Sequence, residues 1–172
     1  MRWLIACLVF AVSAVAAHFW VLTSIPGFIM STADSRMAEQ GVPEYQWTAT
    51  PRQTPETQRI VRPSPDLSYS LCRFDVRGGP VFITAPTWDG YGSLSIFNDQ
   101  TDNVFVGDLG PDSVFSGIVV SRPGAQIEAD MAQPTVQVEG VVLALIRRLA
   151  PDAERYDLAA SLVDQSVCEL LN

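Results

Sequence analysis

Residues 66–106, DLSYSLCRFDVRGGPVFITAPTWDGYGSLSIFNDQTDNVFV, decide the fold. Three β-rich runs, 67–76, 81–85 and 91–97, alternate with Gly/Pro turns, and a short fourth run, 104–106, follows an Asx-rich loop. Leu67, Tyr69 and Leu71 take one face of the first run, while Cys72, Phe74 and Val76 take the other, which predicts burial on both sides or a bulge. Gly78-Gly79-Pro80 turns the chain, Pro86 ends the second run, and Gly90 in Trp88-Asp89-Gly90 fits a tight hairpin.

Further strands are expected at 114–121 and at 135–146, where Gly140 marks a bulge or a close backbone approach. Pro151, Asp152 and Glu154 suit a helix start. Leu158, Ala159, Leu162, Val163, Val167, Leu170 and Leu171 then form a helical stripe, expected to pack on the sheet. The fold class is mainly β: an antiparallel sandwich or barrel-like domain with a C-terminal α-helix.

Before this domain the chain is of a different kind. No charged residue occurs from Trp3 to Ala33. Residues 3–23 would rise about 32 Å as a helix, which matches a bilayer core. Ala14-Val15-Ala16 also reads as a signal-peptide cleavage site, but cleavage there would leave a very apolar new N-terminus, so an uncleaved transmembrane helix is preferred. Pro26–Gly27 is the expected stop. The resulting organisation is an anchor over 1–30, an extended Pro-rich tether over 31–65 and a soluble β domain over 66–172. Tyr45 and Trp47 in the tether alternate like a short edge strand.

All 19 acidic residues and all but one of the 11 arginines lie beyond Met30, and Lys is absent. So acidic a domain has no attraction for nucleic acid. Arg2 and the terminal amine favour the N-terminus inside and the domain outside. His18, the only histidine, sits in the anchor, which removes histidine-based triads and zinc sites from the domain.

The remaining polar candidates are few. Asn98-Asp99-Gln100-Thr101-Asp102-Asn103 offers oxygens for a hard cation, but Asx residues satisfy turns by themselves and the EF-hand spacing is missing, so no metal is assigned. Asp99 and Asp102 are catalytic candidates as a carboxylate pair. Trp88, Tyr91 and Asp99 are ligand-binding candidates. Cys72 and Cys168 are either a disulfide between the β core and the helix or two buried thiols. No cofactor is expected.

The residues SPDLSYSLCRFDVRGGPVFITAP, followed by YGSLSIFNDQTDNVF, resemble the opening half of the bacterial domain-of-unknown-function 1254 family, and 136–149 with the terminal segment resemble its later part. The resemblance covers about residue 59 to the end. It implies a β-rich, exported or membrane-anchored domain with no agreed catalytic residues. Longer relatives carry a second β domain of the 1214 type. This chain is expected to be a short form that meets such a domain on another polypeptide. Ile146-Arg147-Arg148-Leu149 departs from the Gly-Arg-Thr-like ending of relatives, so no role passes to its arginines.

Two functions follow as expectations. One is an accessory or interaction domain on the bacterial inner membrane, single-pass and facing the periplasm. The other is an envelope enzyme or small-ligand carrier using the Asx loop and nearby aromatics.

Overall fold

The computed structural model describes residues 2–54, 63–127 and 133–171. The stretch of expected tether that contains Pro55 lies outside the described residues. Two helices and nine strands follow in order: α1 (Arg2–Glu39), β1 (Thr48–Ala49), β2 (Leu67–Asp75), β3 (Val81–Thr84), β4 (Gly92–Phe97), β5 (Asn103–Asp108), β6 (Ile118–Ser121), β7 (Thr135–Gln137), β8 (Val141–Leu149), α2 (Ala153–Ser161) and β9 (Val167–Leu170).

The strands form a five-stranded sheet, β1-β2-β8-β4-β5, and a four-stranded sheet, β7-β6-β3-β9. Every pairing is antiparallel except β6 with β7. The core lies between the layers: Phe74, Leu94, Ile96, Val142, Ala144 and Ile146 meet Val81, Ile83, Ile118 and Val120. Period-two alternation of this kind gives each strand one apolar face, and two such faces exclude water from each other.

Three expected elements come out differently. The run 135–146 divides at Gly140, whose φ of +69° takes the chain out of the four-stranded sheet and into the other. Glycine reaches that conformation without steric cost. The terminal helix stops at Ser161, a 3-10 turn spans Leu162–Gln165, and Val167–Leu170 becomes an edge strand on β3. Apolar residues three and four apart do not separate a helix from a turn followed by a short strand. The strand at 114–121 begins only at Ile118, and Val114 is 97% exposed.

Nor does α1 stop at Pro26. It runs on to Glu39, so residues 31–39 of the expected tether are helical. Proline removes one bond to the carbonyl four residues back. Packing compensates: Met30, Ala33, Asp34 and Met37, at helical spacing, are buried or half-buried, and α1 lies against β8. Residues 2–25, in contrast, are all exposed, and α1 is long and apolar enough to cross a membrane.

Candidate functional site

Strand β4 holds the sequence candidates apart. Trp88 and Tyr91 precede it and Asp99 and Asp102 follow it, so the strand's length of roughly 20 Å separates the two groups. Trp88, Tyr91 and Asp99 therefore do not line one pocket.

Trp88 belongs to a small second core with Ala150, Tyr156 and Ala159. It is 5% exposed, its indole N–H donates to Leu149 O at 2.9 Å, and the Arg155 guanidinium lies over its ring at 4.9 Å. Arg155 in turn forms an ion pair with Asp89 on the surface. An indole enclosed in this way is a structural residue and not an open ligand contact. Tyr91 is 53% exposed, with its hydroxyl 3.0 Å from Ser93 Oγ.

The Asx loop mostly satisfies itself. Asn98 Oδ1 accepts the backbone N–H groups of Gln100 (2.9 Å) and Asp102 (2.8 Å), and Asn98 Nδ2 donates to Asp102 Oδ2 at 3.2 Å. Asp102 is thus part of the turn. Asp99 instead borders a cavity of about 410 Å³ with Arg77, Arg122, Glu139 and Gly140. Asp102 does not line that cavity, so the two carboxylates are not arranged as an acid–base pair there. Within the cavity rim, Arg77 hydrogen-bonds Asp75 and holds its carboxyl below the usual carboxylate range. Among the described residues no group of three or more His, Cys, Asp or Glu side chains is placed to hold a metal.

Cys72 and Cys168 are joined by a disulfide. Because Cys168 stands on β9, the bond ties sheet to sheet and not sheet to helix. A second cavity, of about 400 Å³, opens beside it, between Tyr45-Gln46-Trp47 and residues 163–169. Trp47 closes its floor by donating Nε1–H to Val167 O at 2.8 Å.

Sequence reasoning named the adjacent pair Arg147 and Arg148 but gave neither a role. Strand alternation sends them to opposite faces of the five-stranded sheet. Arg147 is on the outer face, in register with Tyr69 and Ser93; its Nη2 donates to Ser95 Oγ at 3.0 Å, and its Nε is buried with no acceptor. Arg148 points between the sheets and is 1% exposed. The signal was available: Val142, Ala144 and Ile146 set a phase that, continued by two, puts a guanidinium inside.

A solved structure shares this architecture. The VPA0106 protein of Vibrio parahaemolyticus superposes with a TM-score of 0.62 at 17% identity, over 87% of this chain and 37% of its own. This chain thus spans little more than a third of that protein's length. At that identity the likeness is one of fold. No curated protein matches. Residues 46–169, well over half of the chain and starting before the strand region, match the family described as "Protein of unknown function (DUF1254)". By that match, the chain belongs to the DUF1254 family.

Proposed function

We propose that this chain is a membrane-anchored accessory domain of the bacterial envelope, acting outside the cytoplasm with a partner polypeptide that carries a 1214-type β domain. The observation that carries the reading is the division of α1. Its residues 3–25 are exposed and uncharged, while Met30, Ala33, Asp34 and Met37 turn towards the β domain, so one continuous helix joins an apolar segment to the folded domain. A bilayer is the natural cover for such a surface. The disulfide fits an oxidising compartment.

Partner binding draws on the outer face of the same sheet. Val106, Leu149 and the nearby Tyr91 are exposed there, around an arginine with an unsatisfied buried N–H. Tyr and Arg among apolar neighbours are the residue types that dominate protein interfaces. The greater length of the Vibrio protein agrees with a fold that works beside further structure.

The test is mild-detergent extraction of the full chain from native membranes, followed by mass spectrometry. A stoichiometric 1214-type chain, lost on Val106→Arg, is the expected result. A lone monomer carrying a small molecule would overturn the reading. Alkaline phosphatase fused to the C-terminus should be active if the domain lies outside the cytoplasm as proposed, and an inactive fusion would overturn that orientation.

A further inference from the structure

Register places Arg148 between Ser68 of β2 and Gly92 of β4, with its side chain directed between the two sheets. Its Nη2 donates to Pro86 O at 3.0 Å, while Nε is buried with no acceptor among the described residues. Among the described residues no carboxylate forms an ion pair with it. Burial alone lowers its pKa, to about 10, so the group remains a cation at neutral pH. A buried guanidinium without a counter-charge is among the costliest arrangements a fold can keep.

The surroundings fit an anion. Ser68 and Ser70, both buried on the inner face of β2, bring two hydroxyls into the same layer. Nε and Nη2 share one edge of the guanidinium, the edge that takes a carboxylate with two parallel hydrogen bonds. The adjoining residue, Leu149, accepts the indole N–H of Trp88, and the turn carrying Trp88 is held from outside by the Asp89–Arg155 ion pair. Exposed ion pairs of that kind hold weakly. Opening the turn over Arg148 breaks that pair and also unpacks Trp88 from its small core and from its bond to Leu149 O, so access takes a local opening of this turn.

We propose that Arg148 and Ser68 form an internal binding site for a small carboxylate ligand, entered by displacement of the turn that carries Trp88. The carboxylate neutralises Arg148 and accepts from Nε, and Ser68 donates its hydroxyl to the second oxygen.

The probe is acetate, and the readout is the thermal midpoint of the full-length protein in detergent at pH 7.5. Sodium acetate is compared with sodium HEPES, a bulky sulfonate, at matched ionic strength. Between 10 and 300 mM acetate the wild type should gain about 5 °C over the HEPES series. Arg148→Met should show no such gain. Absence of an acetate-specific gain in the wild type, or an equal gain in Arg148→Met, would overturn the proposal. If Arg148→Met does not fold, Ser68→Val decides: a gain cut to less than half supports the site, and an unchanged gain rejects it.

Discussion

Arg73 Nη1 lies 2.7 Å from Asp34 Oδ1, and this ion pair fastens α1 to the β domain. Glu44 reaches the same nitrogen at 3.1 Å, and Arg73 Nε donates to Val42 O at 3.0 Å. One side chain on β2 thereby holds the end of α1 and the segment that follows it. Arg73 is 8% exposed, so its charge needs these partners.

Removal of the arginine should cost more than removal of either acid. Arg73→Ala strands two carboxylates and a carbonyl, and a loss of about 3 kcal/mol is expected. Asp34→Asn leaves Glu44 in place and should cost about 1 kcal/mol. Thermal unfolding measures the order. Limited proteolysis adds a local readout, since Asp34→Asn should speed cleavage near Gly41, where helix and domain part. Equal proteolysis in wild type and Asp34→Asn would show that the pair does not couple helix to domain.

The disulfide closes a long loop, with 96 residues separating its cysteines. Restricting the unfolded chain over such a span contributes about 4–5 kcal/mol. Cys72→Ala with Cys168→Ala, or reduction of the wild type, should lower the melting temperature by more than about 10 °C. Reductant should have no further effect on the double variant. A reduced wild type that melts at the oxidised temperature would remove the bond from the list of what holds the two sheets together.

The architecture was legible where turns bracket alternation. Val81-Phe82-Ile83 lies between Gly79-Pro80 and Pro86, and it is β3 within one residue. Legibility failed where the deciding contact is distant. Nothing local to Val167-Cys168 announces that β3 and Cys72 will draw it into a strand. Gly140 was visible as an irregularity, yet only the pairing partners on each side show that it changes sheets. The candidate site suffered more. Trp88 and Asp99 look close along the chain, but an extended strand is the longest path between residues. Arg148 was within reach of the alternation, but the lack of a counter-charge for it among the described residues depends on the whole fold.

Arg77 makes part of the stability depend on pH. Its hydrogen bonds depress the Asp75 pKa, so the contribution is present above the ordinary carboxylate range and is lost as pH falls through the depressed value. Arg77→Gln should therefore be less stable than wild type above the ordinary carboxylate range, and the two should converge as pH falls below it. Since Arg77 is largely exposed, the difference should be small and should shrink in high salt. Parallel acid-unfolding curves offset equally at every pH would assign the effect to packing and not to charge.

Gly140 and Asp99 constrain each other, which tests both the sheet change and the cavity beside it. A Cβ at Gly140 would stand 3.0 Å from Asp99 Oδ2, and its φ of +69° strains any larger residue. Gly140→Ala should cost about 1–2 kcal/mol, divided between backbone strain and this contact. In an Asp99→Ala background only the strain remains, so the same substitution should cost measurably less. A double-mutant cycle in chemical denaturation reads the difference as a coupling energy. Asp99→Asn, nearly the same size, should keep the full cost. A coupling of zero would mean that the Asp99 side chain turns away from Gly140, and the cavity would then lose its carboxylate wall.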